Sequence, residues 1–146
     1  MREIAVPDDD ISPWHAMGTL SNQFIGCHGG LADPVHRVYM MSSDGRHIVH
    51  SHGGQPGPDT RQYNVPAVTW QSMIMSLWFV ADVFIRRVTL LSLTLEYACH
   101  IVSRDQLKRW PCRLYLDAKR HLYVANNEWD EQRRKHTAGR VAVFSV

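Results

Sequence analysis

A chain of 146 residues that is 45% hydrophobic, 21% charged and 10% aromatic has the composition of one soluble globular domain. That composition excludes a collagen-like, low-complexity or disordered polymer, and a chain of this length buries about two thirds of its unfolded surface without a covalent staple. Sixteen Lys and Arg against fourteen Asp and Glu leave a net charge of +2, too even a balance to mark a nucleic-acid binder by charge alone.

Cys27, Cys99 and Cys112 cannot all pair with one another, and none stands in a C-x-x-C. They read as reduced thiols, which points to an intracellular, reducing (cytoplasmic) compartment. Met1-Arg2-Glu3-Ile4 opens no apolar signal region, and Asp8, Asp9 and Asp10 do not fit a transit peptide.

Residues 1–11 read as a flexible lead-in and residues 12–146 as a single α+β domain. Ser12-Pro13 suits a helix start, and Trp14, Met17, Leu20, Phe24 and Ile25 recur near helical spacing, so a short helix is expected over 13–25. Arg37–Ser42 and His47–His52 flank Asp44-Gly45, the signature of a hairpin with a two-residue type I′ turn. In that register Tyr39, Met41, Ile48, His50 and His52 share one face. Val38, Met40, His47 and Val49 share the other.

Gly53 to Asn64 reads as a long loop. Ala67 to Ile85 is nineteen residues, near the length that spans a bilayer. Gln71, Ser72, Ser76 and Asp82 inside it favour a buried central helix over a membrane span, with Asp82 paired to Arg86 at i,i+4. Leu91, Leu93, Leu95, Tyr97, Cys99 and Ile101 alternate with polar or small residues, which predicts one long strand over about 89–102 with the odd positions inward.

Cys112, Leu114 and Leu116, then Leu122-Tyr123-Val124 after Asp117-Ala118-Lys119-Arg120, predict a second hairpin with a cross-strand Tyr115–Tyr123 contact. Acids at 128, 130 and 131 and bases at 133–135 complement a helix dipole, so a surface helix anchored by Trp129 is expected over about 127–138. Arg140 to Val146 reads as a final strand inside the sheet. The expected fold is therefore α+β: a mostly antiparallel sheet of about five or six strands on one long buried helix, with short N- and C-terminal helices.

No nucleotide, dinucleotide or nucleophile-elbow motif occurs, and no cofactor is expected. His50 and His52 form an H-x-H on a strand, which sets two imidazoles on one face roughly 6.6–6.8 Å apart; Asp59 supplies a third metal ligand. His50-Ser51-His52 with a following aspartate resembles the motif of JAMM metalloproteases, which implies a metal-dependent hydrolase held by His50, His52 and Asp59. The sequence departs from that pattern at Gly53, where the family has proline, in the short spacer to Asp59, and in lacking the spacer serine.

Lys108, Arg109, Arg113, Lys119, Arg120, Arg133, Arg134 and Lys135, interleaved with Trp110, Tyr115 and Tyr123, form a basic and aromatic C-terminal third that suits single-stranded nucleic acid. No catalytic set is complete. Trp14, Trp110, Trp129 and Tyr123 stand in exposed or weakly structured places, and such residues are enriched at interface cores. The leading expectation is a non-enzymatic interaction or assembly subunit that binds a protein partner or itself, with nucleic-acid binding and metal-dependent hydrolysis as alternatives.

Overall fold

The computed structural model describes residues 13–19, 21–29, 35–54, 57, 62–63, 66–67, 77–107, 109–127, 129–130, 135–136 and 139–146. Every regular element among them is a strand, so the expected α+β fold is corrected to an all-β one. The first sheet takes β1 (Pro13–Gly18), β2 (Phe24–His28), β3 (His36–Met41) and β4 (Ile48–Gly54) in chain order. The second takes β5 (Pro66–Ala67), β6 (Leu77–Asp82), β7 (Arg87–Ser92) and β8 (Tyr97–Val102), also in chain order. The third begins with β9 (Trp110–Leu116) and β10 (His121–Asn127). After the small pair β11 (Trp129–Asp130) and β12 (Lys135–His136), it is completed by β13 (Arg140–Ser145) in the order β13-β10-β9. All pairings are antiparallel.

The central helix expected over 67–85 is replaced by a strand where it is described. Leu77 to Asp82 is apolar on both alternating faces except at Asp82, and periodicity alone does not separate such a run from a buried helix. Trp78 and Val80 pack with Ile25, Cys27, Val38, Met40, Tyr63 and Leu91, facing the first sheet. Phe79 and Ala81 pack with Val88, Val102, Leu107, Leu114, Leu116, Leu122 and Val124, facing the third. The second sheet is therefore sandwiched, and both of its faces must be apolar. The three up-and-down sheets follow one another in chain order, the second packed between the first and the third. Among the described residues no helix is long and apolar enough to cross a membrane.

The expected N-terminal helix is instead the β1–β2 hairpin. Pro13 opens β1, a strand position that tolerates a missing N–H. Thr19 N–H donates to the Gln23 carbonyl at 2.8 Å, and Asn22 takes φ 59° in the turn. The expected C-terminal helix is replaced by β11 and β12 on either side of residues 131–134, which lie outside the described residues. Its charge pattern suited a dipole, but one tryptophan gave a helix no apolar stripe to bury.

The long strand expected over 89–102 is folded in two. Ser92 N–H bonds the Glu96 carbonyl, Leu95 N–H bonds the Ser92 carbonyl, and Leu95 takes φ 62°. Leu93 sits in that turn, 48% exposed rather than inward, while Leu91 and Leu95 are buried. The Asp44-Gly45 hairpin forms with Gly45 at φ 72°. Its loop is longer than the expected two residues: Ser42 N–H donates to the His47 carbonyl, and Gly45 N–H donates back to the Ser42 carbonyl.

A bulge between Met40 and Met41 then changes the faces. Met41 pairs with Ile48, but Met40 pairs with His50 and Val38 with His52. An extra residue in one strand reverses every side chain beyond it. His50 and His52 therefore share the face of Val38 and Met40, not that of Tyr39. The second hairpin forms as expected, with Tyr123 opposite Tyr115. The last strand also forms, but it lies at the edge of its sheet and not inside it.

Candidate functional site

The third sheet's two faces differ. Leu114, Leu116, Leu122 and Val124 point into the core shared with the second sheet. The alternate residues point outward. Tyr115, Tyr123 and Val143 stand directly opposite one another on β9, β10 and β13, and Arg113, Ala125 and Val141 form the adjacent row. Tyr115 and Val143 are each 54% exposed and Val141 62%. The Tyr115 and Tyr123 rings meet at 5.9 Å between centroids, tilted by 49°. The result is an apolar and aromatic strip that crosses three strands and ends at an open edge.

A turn braces one side of this strip. Asp117 Oδ1 accepts N–H bonds from Lys119 at 2.9 Å and His121 at 2.8 Å. Its Oδ2 lies 3.0 Å from His121 Nδ1 and accepts the Tyr123 hydroxyl at 3.2 Å. The backbone N–H of His121, followed by its ring and the N–H of Lys119, holds the Asp117 carboxyl below its ordinary 3.8. A carboxyl lowered in the folded state stabilises it above its unfolded value, and that contribution is lost as pH falls through the lower folded value. The protection of the Lys119 and His121 amides, taken relative to their intrinsic exchange at each pH, is therefore expected to fall on acidification below the usual carboxylate range. Unchanged protection there would contradict the turn geometry.

The expected site residues are scattered. Trp110 is half-buried and tilts against Phe84 at 5.2 Å between ring centroids, which makes it an anchor between sheets two and three. Tyr123 lies on the exposed strip. The side chains of Trp14 and Trp129 lie outside the described residues, as do Lys108, Arg133, Arg134, Asp59 and the Lys135 side chain. Arg113 is exposed on the strip, Lys119 and Arg120 are exposed in its turn, and Arg109 lies apart beside a cavity. Asp82, expected to pair along a helix, pairs with Arg87 at 3.3 Å across the turn between two strands.

His50 and His52 do share a face, but it is the inward one. His52 is buried edge-on to Tyr63, 5.6 Å between ring centroids. Among the described residues no three His, Cys, Asp or Glu side chains gather as a metal site. A buried imidazole packed on a phenol is poorly placed to activate water at a solvent-facing metal.

Sequence reasoning placed Tyr115 on the aromatic face of the second hairpin, but missed Val141 and Val143 as surface residues and Asn126 and Arg140 beside the cavity. Val141-Ala142-Val143-Phe144 is apolar without a break and reads as an interior strand; its edge position is a tertiary outcome. Asn126 did carry a signal, since it replaces the apolar residue that Leu122 and Val124 lead one to expect two positions on. Compared with known proteins, this chain matches no protein-family model and no curated protein.

Proposed function

We propose that this protein is a non-enzymatic assembly subunit, and that the outer strip of its third sheet is covered by a second copy of the chain. The observation that carries this reading is the Tyr115–Tyr123–Val143 row, in which Tyr115 and Val143 are exposed on either side of the half-buried Tyr123. An exposed strip of apolar and aromatic side chains crossing three strands is the kind of patch that marks a contact surface.

The two edges of the third sheet point to the partner. β9 is guarded by Pro111, Arg113 and a bulge in its pairing with β10. β13 has no proline or bulge, and no charge after Arg140. Natural edge strands normally carry such guards. An unguarded antiparallel edge is complementary to itself across a two-fold axis, so one β13 pairs with another. The two apolar rows then join through Val143.

Sedimentation of the wild-type chain should show a reversible dimer. Val143→Lys sets like charges near the axis and should weaken it by about tenfold or more. Tyr115→Ser, two strands from the edge, should weaken it less. A wild type that stays monomeric across the accessible concentration range overturns the self-assembly reading. Salt-dependent binding of single-stranded oligonucleotides, lost with Tyr115→Ser and Arg113→Gln, would establish the nucleic-acid alternative. The Asp117 carboxylate on the same face opposes a phosphate backbone, which is why the protein partner is favoured.

A further inference from the structure

Where the end of the β10–β13 pair meets the connection from β8 to β9 lies a cavity of about 400 Å³. It is lined by Gln106, Leu107, Arg109, Asn126, Arg140, Val141 and Ala142. Asn126 and Arg140 are cross-strand partners, so their side chains leave the sheet on the same side. The pairing of β9 with β10 shifts register between Ala125 and Asn126, and Asn126 faces Pro111, which has no N–H to donate. Ladder and bulge together open the sheet at this end, and bulges are found beside binding sites for this reason.

Asn126 is the unusual residue. Its side chain continues the inward row of Leu122 and Val124, and the residue is only 7% exposed. The amide nitrogen reaches its own strand at the Val124 carbonyl, 3.4 Å away, while the Oδ1 has no hydrogen-bond partner among the described residues. A buried acceptor left unpaired costs free energy that an apolar residue there would avoid. Beside it stand two guanidiniums, and the described lining contains no carboxylate. A guanidinium offers five N–H donors in a fixed fork that matches carboxylate and phosphate oxygens, so Arg109 can serve an existing partner and a ligand together.

We infer that this cavity binds a small hydroxylated organic anion, its carboxylate or phosphate held by Arg109 and Arg140 and its hydroxyl donating to Oδ1 of Asn126. Anionic oxygens alone would leave the Asn126 acceptor unsatisfied, which is why a donor on the ligand is part of the assignment. The site does not depend on self-assembly: Val141 borders both strip and cavity, but Asn126, Arg109 and Arg140, which hold the ligand, are not part of the strip.

The test is a titration of the full chain, followed through the backbone amides of Gln106 and Val141 and the side-chain amide of Asn126. Four probes separate the chemistry: glycerate, glycerol 3-phosphate, propionate and inorganic phosphate. Either hydroxylated anion should shift all three signals at millimolar concentration, and which of the two binds more tightly separates a carboxylate site from a phosphate site. Propionate and inorganic phosphate should bind about tenfold more weakly or worse. Arg140→Gln should lower the affinity of the hydroxylated probe by about tenfold. Asn126→Leu should abolish the preference for the hydroxyl while the chain stays folded. The inference is overturned if no probe moves these signals, if the variants bind like the wild type, or if propionate binds as well as glycerate.

Discussion

Replacing Asp82 by Ala is expected to cost about 3–5 kcal/mol of folding stability, a large share of what a domain of this size possesses. The Asp82 side chain is fully buried and that of Arg87 nearly so, 3.3 Å apart across the first residues of a β-turn connection. Arg87 also donates to the Gln62 carbonyl, and its guanidinium lies 5.9 Å from the centre of the Tyr63 ring. Asp82 does a second job: its Oδ1 accepts the Ile85 N–H at 3.3 Å, closing the turn between β6 and β7. Truncation therefore leaves a buried cation without its counter-charge and a turn without its side-chain acceptor. The double variant Asp82→Leu, Arg87→Met removes both charges together and should recover part of the loss. Urea unfolding of the two single variants and the double variant gives the coupling energy directly. If Asp82→Ala unfolds within about 1 kcal/mol of the wild type, a size more typical of exposed pairs, the pair is not the buried lock described here.

How far the sequence reveals this architecture depends on how local the governing contacts are. Both hairpins marked by an aspartate turn, 37–52 and 112–124, were legible because Asp44 and Asp117 each bind the backbone a few residues on. The turn at Leu93–Glu96 was not, because it contains no glycine or proline and Leu95 itself adopts φ 62°. Its Leu93 and Leu95 fall in phase with the strand alternation on either side, so the break is silent in the pattern. The strand Leu77–Asp82 was read as a helix because it is covered on both sides, and only the first and third sheets, distant in sequence, provide that cover. The face of His50 and His52 was misjudged by a one-residue bulge that leaves no mark on composition. Tyr115 and Tyr123 were paired correctly, yet which side of their sheet is outward is decided by the face that packs on the second sheet. Neighbours close in sequence were readable; layers and ends were not.

Gly53→Ala should be among the most damaging single-atom changes in the protein, with an expected loss of about 2–6 kcal/mol. Gly53 lies in β4 opposite Arg37, although its Gly-Gly context suggests a loop. It holds φ +102°, a backbone conformation closed to side chains with a Cβ, at a cost of about 1–3 kcal/mol. A Cβ there would lie 2.4 Å from the His36 carbonyl oxygen, 3.0 Å from the Arg37 Cα and 2.9 Å from the Tyr63 ring. Two of these three atoms belong to backbone that is fixed in the β3–β4 ladder, so the clash has little room to relax. Overpacking of this kind adds about 1–3 kcal/mol. The third atom belongs to Tyr63, which is wholly buried and packs against both His52 and Arg87. Displacing that ring would loosen the contact between the first and second sheets and bring water to the Asp82–Arg87 pair. Gly18→Ala is the matched control: it is exposed, at a strand end, and a Cβ there meets nothing within 4 Å. Its stability should stay within about 0.5 kcal/mol of the wild type. Denaturant midpoints of the two variants measure the difference. Equal midpoints would show that β4 does not carry Gly53 against Tyr63, and with that the seam between the first two sheets would have to be redrawn.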